Sequence, residues 1–290
     1  MQAIACIDGK LSPLDQALVP VVDRGFLYGD AVFEALRTFG GEPDGLERHL
    51  ARLERSCGIL GIELGVPQTQ VASEVRLALA QVEGPEAYIR IMVTRGDHPE
   101  TLAPRGARSA RRVILVRTLH PTSATEVGVI RLRSCVAPPS ALWAGAKPSA
   151  YINNLLAIAQ AQGEGADDAL LLGAHGELLE GATSSLFLVD AAGEIFTPPV
   201  ALGILPGITR DRVLACARLL GIPARERLLT VHDAYRASEL FMTSSVRGIV
   251  GVSELDGRSV GGAGGAAGAI TRRVFDRYHV EVAGGFSSLG

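Results

Sequence analysis

Lysine is almost missing from this chain: of its 28 basic residues only Lys10 and Lys147 are lysines, the other 26 being arginines. A chain that fills its basic positions with arginine has no general need for an ammonium group, whereas Schiff-base chemistry requires a primary amine. Cysteine is also scarce. Cys6, Cys57, Cys135 and Cys216 lie far apart in apolar settings, with no CxxC or Cys/His ligand spacing, so buried, reduced thiols are expected rather than a disulfide framework or a metal site. No uninterrupted apolar run approaches a membrane span, and the N-terminus enters strand-like Ala3-Ile4-Ala5-Cys6-Ile7 without a basic leader. Neither membrane insertion nor export is expected, so the expected location is the cytoplasm. The net charge of -3, without basic runs, offers no footprint for nucleic acid or an anionic membrane. What is present is core-forming material, 47% hydrophobic residues over 290 positions, enough for about two domains that act on small molecules.

The pattern is α/β. A hairpin spans residues 2–15, a strand runs through Ala31 to Thr38, and a helix from about Gly45 to Leu60 carries Leu46, Leu50, Leu53 and Leu60 near helical spacing. A second amphipathic helix is expected over 67–82, with strands at 87–93 and 113–116. Residues 96–111, rich in Gly, Pro, Arg and Ser, form a loop long enough to suggest function. Domain limits of 1–120 and 138–290 follow, joined by an interdomain loop at 121–137, and on this reading Lys147 opens the second domain. Helices at 152–162, 209–220, 232–237 and 268–279 then alternate with strands at 169–173, 185–189, 239–243 and 249–252.

Lys10 follows the turn signature Asp8-Gly9 and is expected on an exposed hairpin tip. Lys147 stands instead in Ala144-Gly145-Ala146-Lys147-Pro148-Ser149-Ala150-Tyr151, among small and apolar residues. Its plain structural reading is a snorkelling lysine beside a helix start. Four other segments bear on the choice. Leu205-Pro206-Gly207-Ile208-Thr209-Arg210-Asp211 feeds a Gly-containing turn into a helix, a seat for phosphate or carboxylate, though any Thr N-cap looks the same. Thr243-Ser244-Ser245 offers hydroxyls and amides at a strand end, or is a turn. Glu180 in Glu180-Gly181-Ala182-Thr183-Ser184-Ser185 lies between apolar runs and needs a partner such as a protonated ring nitrogen. Arg48 and Arg52 share a helical face, one suited to clamp a phosphate and the other to a surface ion pair. An amine, an anion seat, a carboxylate and an arginine together match the aldehyde, phosphate and pyridine nitrogen of pyridoxal phosphate.

The chain resembles the class IV, fold type IV pyridoxal-phosphate aminotransferases, the group that holds branched-chain and D-amino-acid aminotransferases and aminodeoxychorismate lyase. The resemblance covers nearly the whole chain and rests on Asp23-Arg24-Gly25, Tyr28-Gly29-Asp30-Ala31-Val32-Phe33-Glu34, His49-Leu50-Ala51-Arg52-Leu53 and Val93-Thr94-Arg95-Gly96. It continues through Lys147 with Tyr151, Asn154-Leu155-Leu156-Ala157, Glu180-Gly181, Leu205 to Arg210, and Glu239 to Ser245. It implies a small N-terminal α/β domain and a larger C-terminal pseudo-barrel that binds pyridoxal 5′-phosphate. It also implies that Lys147 is the Schiff-base lysine and proton shuttle, and that Glu180 holds the ring nitrogen protonated. Arg52, Ile208, Thr209, Ser244 and Ser245 would bind the phosphate, Leu205 would pack on the ring, and Tyr151 would contact its phenolic oxygen. A homodimer is implied, with the loop around 96–108 reaching the neighbour's active site.

The departures from the family pattern bear on substrate. Ser185 stands where members usually have Asn. The Arg-x-His carboxylate trap of the D-amino-acid enzymes is replaced by Asp97-His98-Pro99-Glu100 and then Arg105, whereas Tyr88-Ile89-Arg90 matches the Tyr-x-Arg pair of branched-chain enzymes, with a shorter lysine-to-tyrosine spacing. Phe33-Glu34-Ala35 leans toward aminotransferases. The reading is therefore transfer of an amino group between a small apolar amino acid, of branched-chain or D-amino-acid type, and a 2-oxo acid, with Tyr88 and Arg90 at a substrate carboxylate and Phe33 and Leu102 at its side chain. The alternatives are aminodeoxychorismate lyase, giving aminobenzoate and pyruvate, and a catalytically idle binder of the cofactor, against which the joint retention of Lys147, Glu180 and Arg52 argues.

Overall fold

The computed structural model describes residues 3–97, 102–104, 107, 109–119, 127–137, 143–260 and 266–284. The chain divides into two compact units, Met1–Pro121 with Gly145–Tyr151, and Thr122–Ala144 with Ile152–Gly290.

The first unit contains β1 (Ala3–Ile7), β2 (Lys10–Pro13), α1 (Arg24–Tyr28), β3 (Ala31–Phe39), β4 (Glu42–Pro43), α2 (Leu46–Leu60), α3 (Gln68–Leu79), β5 (Ala87–Thr94) and β6 (Arg111–Thr118). Its sheet runs β2-β1-β6-β5-β3-β4, and all its pairings are antiparallel. Asp8 and Gly9 take φ of 49° and 83°, the two positive values a two-residue hairpin turn of this hand requires, so Lys10 opens β2 and is exposed. Along β5 burial alternates from residue to residue, as one covered sheet face demands. Ile89, Ile91 and Val93 turn toward Leu46, Leu50, Leu53 and Cys57 of α2 and Val71, Val75 and Ala78 of α3, all part of one core. Tyr88, Arg90 and Met92 consequently point from the opposite face. Removing one of the fully buried leucines, such as Leu53, would cost about 2–5 kcal/mol.

The second unit contains β7 (Val129–Val136), α4 (Ile152–Gly163), β8 (Asp168–Leu172), β9 (Leu178–Gly181), β10 (Ser185–Val189), β11 (Ile195–Thr197), α5 (Ile208–Leu219), β12 (Ala224–Glu226), α6 (Val231–Tyr235), β13 (Glu239–Ser244), β14 (Gly248–Leu255), β15 (Arg258–Ser259) and α7 (Ala269–Ala283). Its sheet order is β12-β11-β10-β13-β14-β7-β8-β9, with β15 on β14. β9 ends the order, yet the short turn 182–184 leads from it straight to β10 near the other end. The sheet must therefore curl until those strands meet, and a Cβ on Gly181 would lie 2.5 Å from Met242 Cε of β13. This is the expected pseudo-barrel, filled by Leu132, Leu170, Leu178, Leu186, Leu240, Met242 and Leu255 among others.

Two placements differ from the sequence reading. Residues 129–136, expected inside the loop 121–137, form β7, a central strand running parallel to both β14 and β8. Strand pairing on both sides outweighs a sequence with little apolar alternation. The segment Gly145–Tyr151, expected to open the second domain, belongs to the first unit because it pairs with β3. Parts of the expected loops, residues 98–101, 105, 106, 108, 120–126, 138–142 and 261–265, lie outside the described residues.

Candidate active site

In the first unit, the amine is delivered by a strand edge. β3 has β4 beside only its C-terminal end, so its start is open, and the lysine segment closes it. Phe33 N–H donates to Lys147 O at 3.0 Å and Ser149 N–H to Ala31 O at 2.8 Å, with Pro148 opposite Val32. Pro148 lacks an N–H, and at this edge position none is needed. This register puts the Phe33 and Lys147 side chains together: Nζ lies 4.6 Å from the Phe33 ring centre, 5.5 Å from that of Tyr151 and 3.5 Å from the Tyr151 hydroxyl. Phe33 and Tyr151 meet edge to face at 5.2 Å. The Lys147 N–H also donates to Ser56 Oγ at 3.2 Å.

Ser56 lies one helical turn beyond Arg52 and two beyond His49 nearly on the same side of α2. Arg52 is buried and Arg48 exposed, which separates the two candidate clamps. Arg52 makes a two-pronged bond to Glu34, Nε to Oε1 at 2.8 Å and Nη2 to Oε2 at 2.7 Å, and His49 Nδ1 sits 2.6 Å from Oε2. Burial pushes the Glu34 carboxyl up, but the Arg52 bonds and charge, helped by His49, bring it down to about 2. Burial also lowers the His49 pKa, against the pull of Glu34, so His49 is neutral and its Nδ1–H donates. Glu34 and His49 are thus the orienting residues that sequence reasoning missed. The signal was a carboxylate inside the apolar run Ala31 to Leu36 and a histidine three residues before Arg52.

On the other sheet face, the Arg90 guanidinium lies 3.9 Å from the Phe33 ring centre and Arg117 4.6 Å from that of Tyr88. The register aligns Phe33 with Met92, Ala35 with Arg90 and Arg37 with Tyr88. Phe33, Arg90 and Tyr88 therefore share the surface that carries the lysine amine. Leu102 makes different contacts: it is exposed, and its carbonyl accepts from Arg24 Nη2 at 3.0 Å.

In the second unit, both Glu180 oxygens lie 3.3 Å from the Leu205 N–H, which ties the end of β9 to the turn before α5. Gly207 precedes that helix without a side-chain cap, and a Cβ there would stand 2.6 Å from Ser185 Oγ and 3.0 Å from Arg210 Cβ. Ser185 opposes Thr243 across β10 and β13, so the start of α5, the start of β10 and the end of β13 converge. The hydroxyls of Ser184, Thr209 and Thr243 are buried with no hydrogen-bond partner among the described residues. Each orphaned group costs about 1–3 kcal/mol. Together with the N–H groups that the first turn of a twelve-residue helix presents, Thr209 marks a seat suited to an acceptor-rich anion. The sites of Ile208, Ser244 and Ser245 flank it, Ile208 buried and both serines half-buried.

Residues 31–255 match the model of the class IV amino-transferase family. The chain is 35% identical over 278 residues to a putative branched-chain-amino-acid aminotransferase of Methanocaldococcus jannaschii, covering 94% of each chain. It is 27% identical to a D-alanine aminotransferase of Bacillus licheniformis, over 92% of this chain and 93% of that one. A crystal structure of the T.th. branched-chain amino acid aminotransferase complexed with N-(5′-phosphopyridoxyl)-L-glutamate superposes with a TM-score of 0.89 at 27% identity, over 98% of this chain and 95% of that one.

Proposed function

We propose, for a chain that belongs to the class IV aminotransferase family, that it transfers the amino group of a small apolar amino acid, of branched-chain type, to a 2-oxo acid with pyridoxal 5′-phosphate bound at Lys147. One observation carries the assignment: the Lys147 ammonium stands against Tyr151 and Phe33 on a segment tied to Ser56, a turn from the buried Arg52. Bound pyridoxal phosphate supplies an aldehyde carbon that captures amines and a ring that withdraws electrons.

The protein's own part follows from its residues. The Lys147 amine would hold the group through its aldehyde carbon and would be the base that moves the proton at the substrate's α-carbon. The Tyr151 hydroxyl, near Nζ, would donate to the phenolic oxygen. Glu180, held by the Leu205 N–H, would keep the ring nitrogen protonated, and Leu205 would pack on the ring. Thr209 with the Ile208 amide, Ser244 and Ser245 would take the phosphate, which would give the Thr209 hydroxyl a partner, and Arg52 is a further candidate for it. Glu34 and His49 hold Arg52 in one orientation. Phe33, Tyr88 and Arg90 receive the substrate, Arg90 and Tyr88 at a carboxylate and Phe33 at the side chain, with Leu102 contributing from the loop 96–108 of a second subunit.

The homodimer is supported by exposed apolar surface. Leu18, Val21 and Phe26 of the first unit are each more than 70% exposed, more than an isolated soluble chain ordinarily leaves in one segment. Four free thiols fit a cytoplasmic location, and among the described residues no helix is long and apolar enough to cross a membrane.

The test is a donor screen over both enantiomers of leucine, valine, isoleucine and alanine with 2-oxoglutarate, reading glutamate formation. Turnover of the branched L-donors is expected. Failure of every donor, with aminodeoxychorismate consumed instead, would replace transamination by the lyase reaction.

A further inference from the structure

Arg247 has no part in the assignments above, yet it lies in the turn that carries Ser244 and Ser245 and its side chain reaches Asp168 and Thr183. It ends the turn after β13, where its own N–H donates to Ser244 Oγ at 3.2 Å. Its guanidinium then leaves the turn: Nη2 lies 2.7 Å from Asp168 Oδ2 and 3.2 Å from Thr183 Oγ1.

The register explains this reach. Ser185 opposes Thr243, so the turn 182–184 runs beside the turn that carries Ser244 to Arg247. The Ala182 N–H donates to Ala169 O at 3.1 Å, which brings the start of β8, and so Asp168, to the same place. Asp168 is buried, its other oxygen accepts from the Ala169 N–H, and it forms an ion pair with Arg247. The partner turn is itself held, by Gly181 N–H to Ser184 O at 2.7 Å and by Asn154 Nδ2 to Ala182 O at 2.7 Å. One arginine therefore joins three chain segments at the seam where the curled sheet closes. On one side are the hydroxyls of the Ser244–Ser245 turn, and on the other is the turn that begins one residue after the Glu180-Gly181 pair.

We propose that Arg247 is a positioning residue of the cofactor seat: by spanning from the Ser244–Ser245 turn to Asp168 and Thr183, it fixes that turn against the strand bearing Glu180 and thereby sets the affinity for the phosphate group. The inference rests on the cofactor reading given above. A side chain acting through the phosphate turn affects ligands that carry a phosphate and leaves alone those that do not. General loss of packing would weaken both.

The experiment titrates the full-length apoprotein with pyridoxal 5′-phosphate and, separately, with pyridoxal, following near-ultraviolet and visible absorbance. Arg247→Ala is expected to bind pyridoxal 5′-phosphate about tenfold more weakly, as loss of a charge-assisted bond implies, while pyridoxal affinity stays within twofold. Arg247→Lys, which keeps the ion pair to Asp168, should recover most of the loss. Asp168→Asn should weaken binding similarly, and the double variant should be no worse than Arg247→Ala, since both changes break one connection. Should Arg247→Ala not fold, Thr183→Val removes the other arm at an exposed position and should cost about threefold. Phosphate-ester affinity equal to wild type, an equal loss toward pyridoxal, or additive losses in the double variant would overturn the proposal. A wild-type protein that takes up no pyridoxal phosphate defeats the proposed function and the inference with it, whereas normal wild-type uptake with an unaffected Arg247→Ala or Thr183→Val defeats the inference alone.

Discussion

Replacing Glu34 by Gln keeps the shape of the side chain and removes the charge that Arg52 is built around. Glu34 is fully buried and Arg52 is 4% exposed, so the substitution leaves a guanidinium out of water with only a neutral amide beside it. Two independent figures set the cost. Breaking a buried pair from one side costs about 3–5 kcal/mol. The fall of the Glu34 pKa from its ordinary 4.5 to about 2 corresponds to about 3 kcal/mol, at about 1.4 kcal/mol per pH unit. A loss of about 3 kcal/mol lowers the melting temperature of a protein this size by about 6–10 °C. The sign with pH follows from the depressed carboxylate: its contribution is whole above pH 4.5 and disappears as pH falls toward 2. Calorimetric melts at pH 7, and urea midpoints from pH 6 down to pH 3.5, read both effects. The variant should melt lower at pH 7 and lose stability less steeply in acid than wild type. Adding Arg52→Gln should restore part of the loss, because the unmatched charge is then gone. A Glu34→Gln protein melting within about 2 °C of wild type, or following the wild-type acid profile, would refute the view that this carboxylate holds Arg52.

Lys147→Ala should abolish the borohydride-fixable adduct with pyridoxal phosphate, and Lys147→Arg should not restore it, because a guanidinium forms no such imine; a persistent adduct in mass spectra of either variant would place the chemistry on another amine. His49→Gln should flatten the stability profile between pH 7 and 5. Neutral in the fold, His49 takes up a proton only on unfolding, so wild type weakens as pH falls below 6.5, and denaturant midpoints that stay parallel in the variant would argue against this. Gly207→Ala places a Cβ 2.6 Å from Ser185 Oγ, costing about 1–3 kcal/mol and weakening cofactor uptake, and Ser185→Ala in the same chain should recover part of both in melts and titrations.

What was legible from residues alone tracks the range over which each signal acts. The helix over 46–60 and the strand over 185–189 were readable because periodicity and apolar runs are local. β7 was not, because Val129 to Val136 alternates weakly, with Leu132 alone among its residues buried, and becomes a strand through the partners it finds in β14 and β8. The site divides in the same way. Lys147, Glu180 and the start of α5 were conspicuous as chemistry in the wrong surroundings: an amine among alanines, a carboxylate between leucines, and a glycine before a threonine. The placement of Lys147 in the first unit depended on something no local pattern carries, the open edge of β3 at Ala31 to Phe33, about 115 residues earlier in the chain. That pairing also accounts for the lysine's surroundings. Because Pro148 opposes Val32, Lys147 must share a face with Phe33, and Glu34, the next residue on β3, must turn to the other face and meet Arg52. A one-residue slip of the lysine segment along β3 would exchange these faces and aim Nζ into the α2 core. The short bridge around Pro148 is therefore what commits a scarce amine to the surface that also carries Arg90 and Tyr88.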